Sequence, residues 1–213
     1  MDLKERIIQT SSELFHESGI KGVTMDMIAE TLGISKRTLY ENFADKNTLV
    51  DNCFSFILKK QEAKYVEIEA ESRNTIEVML KSYMIGMKDV RMCNKNFMSD
   101  LRKYHPLVFE RMKEHREQVF KEDVVIALDK GILDGLVRPE VNTEIIAIMV
   151  KELLYIIESE IPDFKKFDLF EIYETLFMNF ARGIVTAEGL KIIDELLEKN
   201  SKSSKHTKVT SWY

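Results

Sequence analysis

The amino-acid sequence predicts an all-α protein. Apolar residues recur every three or four positions along almost the whole chain, which is the spacing of one helix face, and no segment alternates as an amphipathic strand does. The 213 residues include only 8 Gly and 3 Pro, the residues that most often interrupt helices. With 45% hydrophobic residues, the chain can bury the core of a helical body that carries one small additional module.

The first two helices are predicted from their starts and stops. An apolar stripe covers residues 3–18, and Gly19 ends it. Thr24 is an N-cap for residues 25–32, which end at Gly33. The apolar residues expected on one side of this second helix are Met27, Ile28 and Leu32.

A third helix follows so closely that the pair forms a helix-turn-helix. Ser35 is its N-cap, and Leu39 and Phe43 lie one turn apart and face inward. The outer face of this third helix and the margins of that face carry Lys36, Arg37, Thr38, Tyr40 and Glu41. Two helices joined by a tight turn that contains Gly, the second with a polar outer face, can place that second helix in the major groove of DNA. The alternative is a surface helix pair of an ordinary bundle with solvated cations.

The remainder of the chain is predicted to be a helical bundle. Asp45 caps a longer helix that runs from Lys46 through the sixties. Further helices are predicted over residues 75–92, 94–103, 106–130, 142–159, 168–186 and 189–199. The breaks between them are too short to be domain linkers.

The charge and the termini limit the class of protein. The net charge of −5 excludes a protein that coats nucleic acid indiscriminately, but a local basic surface can still bind DNA specifically. Because no apolar run reaches the roughly 18 residues that span a bilayer and residues 1–15 do not have the layout of a signal peptide, we expect a cytoplasmic protein without membrane contact. Cys53 and Cys93 are expected to be reduced thiols, and residues 200–213 a disordered tail.

The motifs of common enzyme classes are missing from the sequence. It contains no GxGxxG, GxxxxGK, HExxH or GxSxG, and its four histidines have no ligand spacing with Cys, Asp or Glu. We therefore expect neither an enzyme nor a protein with a metal or other cofactor.

Several pieces of the N-terminal sequence carry a family resemblance. They are Gly19-Ile20-Lys21-Gly22-Val23-Thr24, Met27-Ile28-Ala29, Gly33-Ile34-Ser35-Lys36-Arg37-Thr38-Leu39-Tyr40, and Phe43 with Lys46. Through these pieces the chain resembles the TetR family of bacterial repressors. Weaker similarities to the same family lie at residues 135–142 and 180–184.

The resemblance implies which side chains contact DNA. The positions that face the major groove or its edges in the family match Lys36, Arg37 and Tyr40. The positions that mostly grip phosphates match Thr24, Thr38, Asn42 and Lys46. The residue types suit these roles, since Arg and Lys donate to guanine acceptors and hydroxyls and amides donate to phosphate oxygens. A carboxylate at Glu41 can accept from cytosine but otherwise repels the phosphate backbone, so Glu41 is interpreted instead as an ion-pair partner of Lys36 or Arg37.

The resemblance also implies a domain organisation and partners. Residues 1–46 are expected to form the DNA-binding domain and residues 47–199 an effector-binding and dimerisation domain. The helices of residues 142–159 and 168–186 carry apolar residues on more faces than one core can bury, and the family implies that they build a four-helix homodimer interface. An internal core pair is the alternative. The middle helices are rich in Met and aromatic residues, most of them expected in the core, and the family implies a pocket there for an apolar or amphipathic effector.

Three functions remain open from the sequence. The first is a repressor that leaves an inverted-repeat operator in double-stranded DNA when a small molecule binds. The second is a DNA-binding regulator that senses no small molecule or acts through a protein partner. The third is a helical enzyme or ligand carrier with an incidental helix pair.

Overall fold

The computed structural model describes residues 1–158, 162–164 and 166–205, and it confirms the all-α prediction for them. Between these residues the one β-type contact is an isolated bridge from Val137 to Val185. The helices are α1 Leu3–Ser18, α2 Met25–Leu32, α3 Lys36–Asn42, α4 Lys46–Glu71, α5 Thr75–Met92, α6 Phe97–Tyr104, α7 Pro106–Val119, α8 Val125–Leu133, α9 Thr143–Glu158, α10 Leu169–Ile184 and α11 Ala187–Lys205. A π-helical turn, Phe120–Val124, joins α7 to α8, and Pro162–Phe164 forms a 3₁₀ turn.

The predicted N-caps start the helices as the sequence indicated. The Thr24 hydroxyl accepts a hydrogen bond from the Met27 amide at 3.2 Å, the Ser35 hydroxyl accepts from the Thr38 amide at 3.0 Å, and the Asp45 carboxylate accepts from the Thr48 amide at 2.7 Å. Each bond satisfies an amide that has no partner inside its own helix. These three caps fix where α2, α3 and α4 begin.

Two details of the predicted helices differ from the structure. Met27 is 42% exposed, whereas Ile28 is fully buried, and Met25 and Ala29 supply the other buried positions of α2. The single helix predicted over residues 106–130 is interrupted by the π-helical turn, which accommodates an additional residue in one turn of the backbone.

The chain divides into two compact units, which we call unit 1 and unit 2. Unit 1 contains residues 1–66 and 92–114. Its core therefore includes residues far beyond the predicted domain boundary at residue 46, because the first three helices alone are too small to bury their apolar sides. Residues that share this core are Ile7, Phe15, Ile20, Val23, Ile28, Leu39, Phe43, Leu49, Phe54, Leu101, Val108 and Met112.

Unit 2 contains residues 67–91 and the described residues from 115 onward. Its core is formed by Ile76, Leu80, Leu128, Leu136, Val137, Ala181, Ile184, Val185 and Ile193. Thr186 ties α11 to the turn after α8, since its amide donates to the Leu136 carbonyl at 3.0 Å. The approach is close because Gly189 has no side chain; a Cβ there would lie 2.4 Å from the Leu136 carbonyl oxygen.

The last helix extends further than the sequence predicted. α11 continues to Lys205, so the first six residues of the predicted disordered tail are helical, and residues 206–213 lie outside the described part. Once a helix is formed, each added residue contributes a backbone hydrogen bond at little cost, and α11 therefore outlasts its apolar stripe. Across the residues that the structure describes, none of the helices is both long and apolar enough to cross a membrane.

Candidate nucleic-acid interface

The short helix α3 is held by one side and exposed on the other. Leu39 and Phe43 are 0% and 1% exposed and belong to the core of unit 1, as predicted. Gly33 adopts the left-handed conformation at the end of α2, with φ 66°, and lets the chain turn within three residues into α3. The two helices therefore form a helix-turn-helix whose second helix presents its polar face to solvent.

Seven predicted DNA contacts lie at this helix pair and at the start of α4. They are Thr24, Lys36, Arg37, Thr38, Tyr40, Asn42 and Lys46, and we call them the recognition surface. Lys36, Arg37 and Tyr40, the three predicted to face the groove, are all exposed, and the Arg37 side chain is 88% exposed. The structure thus brings the predicted residues together in one local segment; their contacts with DNA stay a prediction.

Both basic residues of α3 are paired with carboxylates. Lys36 Nζ lies 2.5 Å from an Asp26 carboxylate oxygen, across the turn from α2. Arg37 Nε donates to Glu41 Oε1 at 2.8 Å, one helical turn away. The interpretation of Glu41 as an ion-pair partner is confirmed, and Arg37 is the partner.

The predicted phosphate contacts of α2 and α3 also take part in local hydrogen bonds. The Thr24 hydroxyl caps α2, and the Thr38 hydroxyl lies 2.8 Å from the Ser35 hydroxyl. The half-buried Asn42 amide donates to the Thr38 carbonyl at 2.8 Å. These bonds hold Thr24 at the start of α2 and Thr38 and Asn42 along α3, where a hydroxyl or amide can still donate to a second acceptor.

Lys46, the first residue of α4, binds the turn between α1 and α2. It is half-buried, and its ammonium donates to the Ile20 carbonyl at 2.5 Å and lies 5.8 Å from the centre of the Phe15 ring. Burial lowers the pKa of Lys46, and the nearby Asp100 carboxylate opposes this effect. The sequence could not show this, because Ile20 lies 26 positions before Lys46.

The turn between α1 and α2 is held by α6 as well. The Asp100 carboxylate of α6 is buried and accepts from the Lys21 amide at 2.8 Å. Asn94 binds the end of α1, with its amide donating to the His16 carbonyl at 2.7 Å. The turn that leads to α2 is therefore held by α4 at the Ile20 carbonyl and by α6 at the Lys21 amide. Asn94, between α5 and α6, holds the end of α1 before it.

His105 completes this polar region of unit 1. It ends α6, is 8% exposed, and its Nδ1 is buried without a hydrogen-bond partner among the described residues. Burial lowers the pKa of His105, the positive charge of Lys46 lowers it further, and the Asp100 carboxylate acts in the opposite direction.

Sequence reasoning missed Asp26, Asp100 and His105 as neighbours of the recognition surface. Asp26 could have been suspected from its position in the first turn of α2, but its pairing with Lys36 crosses the turn between two helices. Asp100 and His105 carry no local signal, because Asp100 accepts from the Lys21 amide and His105 feels the charge of Lys46, and both partners lie more than fifty positions earlier in the chain.

A buried core, a left-handed glycine turn and an exposed polar face on α3 define the class of protein as a helix-turn-helix DNA-binding protein. The N-terminal domain of the bacterial regulatory proteins of the tetR family matches residues 7–53. A helix-turn-helix-type transcriptional regulator of Staphylococcus aureus (strain bovine RF122 / ET3-1) is 28% identical over 129 residues, which are 56% of this chain and 68% of that protein.

Solved structures share the fold across most of the chain. A TetR-family regulator from Marinobacter aquaeolei VT8 is 22% identical, with a TM-score of 0.68, over 93% of this chain and 98% of its own. A transcriptional regulator from Saccharomonospora viridis in complex with choline is 15% identical, with a TM-score of 0.69, over 86% and 97%. Residues 7–53 are therefore a DNA-binding domain of the tetR-family type, and the chain is a DNA-binding transcription regulator.

The buried His105 predicts how stability depends on pH. Because its pKa is lowered in the folded protein, the unfolded chain binds the proton more readily, and stability is lost as the pH falls below the ordinary histidine value of 6.5. We expect the melting temperature of the parent protein to fall between about pH 7.5 and about pH 5.5, and to fall less in His105→Gln. Thermal denaturation followed by circular dichroism measures both.

The matched control is His16→Gln, which removes a half-buried histidine from the same unit. A loss of melting temperature that is smaller in His105→Gln than in both the parent and His16→Gln comes from His105 and not from the removal of any histidine. An equal loss of melting temperature in the parent and in His105→Gln would show that His105 contributes nothing to it.

Proposed function

We propose that the protein is a repressor that binds an inverted-repeat operator in double-stranded DNA as a homodimer and leaves it when a small molecule binds unit 2. Residues of α3 enter the major groove, and the recognition surface divides the contacts. Lys36, Arg37 and Tyr40 contact base edges or the groove margin. The phosphates are held by Thr24, Thr38, Asn42 and Lys46.

The observation that carries the DNA-binding proposal is the two-sided character of α3. Its apolar side is fully buried through Leu39 and Phe43, so the helix cannot rotate to hide its cations, and Lys36, Arg37 and Tyr40 remain exposed. Arg37 has the reach and the planar donor geometry for guanine. Lys46 can turn from the Ile20 carbonyl towards a phosphate or use another of its three N–H donors.

Arg37→Ala and Lys46→Ala should impair DNA binding in different ways. Loss of a base contact at Arg37 should cost about 1–3 kcal/mol on the operator and relax the preference at one symmetric pair of base positions. Loss of a phosphate contact at Lys46 should weaken operator and random DNA alike and lower the salt slope by about two per dimer. Fluorescence anisotropy across a salt series measures both effects, with the operator obtained by selection from a randomised duplex library.

The two variants also differ in their effect on folding. Arg37→Ala should melt like the parent because its side chain is exposed, whereas Lys46→Ala should melt lower because it loses the bond to Ile20. The DNA-binding proposal is wrong if both variants fold and bind the selected duplex as tightly as the parent.

The exposed side of α9 supports dimerisation. Ile145, Ile148 and Met149 are 54%, 55% and 49% exposed and lie on one face, at the three- and four-residue spacing of a helix, while Ala147 is buried on another. Soluble monomers rarely leave such a continuous apolar face in water. A second copy of the chain that packs its own α9 and α10 here would cover it, and C2 symmetry makes the same face self-complementary.

A charge on this face should separate the subunits. We expect the parent to sediment at twice the mass of the chain at micromolar concentration, and Ile148→Glu to sediment as a monomer, because a carboxylate cannot be buried in an apolar interface without a partner. Leu107→Glu, which changes an exposed leucine of unit 1, is the control and should remain dimeric. A parent that sediments at the mass of one chain would contradict the proposal.

An effector is proposed to act through unit 2. A change of conformation in unit 2 can be passed along the chain to unit 1, because α4, α5 and α7 each contribute residues to both units. Two recognition helices must lie about 34–36 Å apart to enter successive major grooves, and a ligand that favours another spacing lowers DNA affinity. An apolar or amphipathic effector is proposed from the family, and one structural neighbour carries choline. We also propose that the protein is located in the cytoplasm.

Reciprocal coupling distinguishes this repressor from a regulator without an effector. A compound that weakens operator binding by a given factor must itself bind more weakly to the operator complex by the same factor, within a coupling of about 1–3 kcal/mol. Choline and a panel of apolar and amphipathic compounds can be titrated by calorimetry with and without the selected duplex. If every compound that binds does so equally in both titrations, the regulator responds to none of them and the alternative function is favoured.

A further inference from the structure

The segment that contains the recognition surface carries more acid than base. Residues 24–46 include three basic and four acidic residues, a net charge of −1. A protein that held DNA through phosphates alone would place an excess of cations there, because phosphate neutralisation is the source of that affinity. The carboxylates beside Lys36 and Arg37 therefore oppose the sequence-independent part of DNA binding.

Glu41 engages Arg37 through one particular nitrogen. Its Oε1 accepts from Arg37 Nε at 2.8 Å, and the two residues lie one turn apart on the outer face of α3. Nε is the nitrogen nearest the backbone. The two terminal Nη amino groups lie at the far end of a side chain that is 88% exposed.

This geometry suits a base edge better than a phosphate. The two Nη groups of one guanidinium can donate together to O6 and N7 of a guanine, and Nε is not needed for that arrangement. Arg37 can therefore contact a guanine while it keeps its bond to Glu41. A phosphate bound by the same two Nη groups would bring its negative charge close to the Glu41 carboxylate, whereas O6 and N7 of guanine carry no formal charge.

We propose that Glu41 is a positioning residue that makes Arg37 selective for a base edge over a phosphate. The inference rests on the proposed DNA-binding function and adds to it a determinant of specificity that itself contacts no base. Glu41 weakens binding to random DNA, where Arg37 meets phosphates that the carboxylate repels, and preserves binding to the operator, where Arg37 meets an uncharged base edge and keeps the ion pair.

Glu41→Gln should therefore tighten binding to random DNA and weaken the preference for particular bases in the operator. One exposed ion pair affects an equilibrium by a factor of about 1.4 to 5, and a dimer carries two, so the ratio of operator to random affinity should fall by about two-fold to twenty-five-fold. The preference should relax at the same symmetric base positions that Arg37→Ala affects. A residue that only stabilised α3 would change the melting temperature and leave that base preference unchanged.

The probes are three kinds of duplex of about 30 base pairs, long enough for two half-sites one turn apart. The first is the sequence enriched by the parent protein from a randomised library. The second is a scrambled duplex of the same composition. The third is a set of single base-pair variants of the enriched sequence, used as competitors in fluorescence anisotropy.

Two further variants separate the position of the charge from its amount. Glu110→Gln removes an exposed carboxylate that pairs with Lys113 on α7, outside the helix-turn-helix, and should leave the affinity ratio unchanged. Asp26→Asn removes a carboxylate of the same segment that pairs with Lys36, so it should leave the preference at the Arg37 positions unchanged. Circular dichroism confirms that each variant folds.

The outcomes distinguish this inference from the proposed function. If the parent enriches no sequence from the library, the DNA-binding proposal fails and the inference fails with it. If the parent enriches a sequence and Arg37→Ala weakens its binding, but Glu41→Gln shifts both affinities no more than Glu110→Gln does, the inference alone is wrong. Loss of operator binding by Glu41→Gln with unchanged random binding would also overturn it, because Glu41 would then contact a base directly.

Discussion

The burial of Leu39 and Phe43 determines how the rest of the recognition surface works. α3 has seven residues, too few to be stable as a helix in water, and it exists because these two side chains are fixed in the core of unit 1. Their burial also sets the rotation of α3. Lys36 and Arg37 are exposed because the opposite side of the same helix is fully buried, and every proposed base contact depends on that rotation.

The core that holds α3 is extended by polar contacts around the turn between α1 and α2. Lys46 donates to the Ile20 carbonyl and Asp100 accepts from the Lys21 amide, so α4 and α6 both bind the backbone that leads into α2. A buried carboxylate, a half-buried ammonium and a buried imidazole lie together in this region. Such a polar group of contacts is stabilising only while each charged group keeps its partners, and it therefore specifies one arrangement of the turn.

Charge on the recognition surface is balanced locally. The ion pairs of Lys36 with Asp26 and of Arg37 with Glu41 are exposed, so each adds little to the stability of the folded protein. These ion pairs matter more for DNA binding, because each carboxylate carries a negative charge to the DNA backbone when α3 binds. This agrees with the net charge of −5, which is unsuited to indiscriminate DNA binding.

The sequence by itself determined the helices and their order, because caps, glycine turns and apolar periodicity are local properties of the chain. Thr24, Gly33 and Ser35 delimit α2 and α3, and the spacing of Leu39 and Phe43 identified the inner side of α3. Only the tertiary structure decided which charged groups meet. The bond from Lys46 to Ile20 and the place of Asp100 and His105 join parts of the chain that are far apart in sequence. The pairing of Lys36 with Asp26 crosses the turn between two consecutive helices, and no local pattern records any of these contacts. The extension of unit 1 beyond residue 46 was decided in the same way, since a small helix triplet needs apolar residues of α4, α6 and α7 to complete its core.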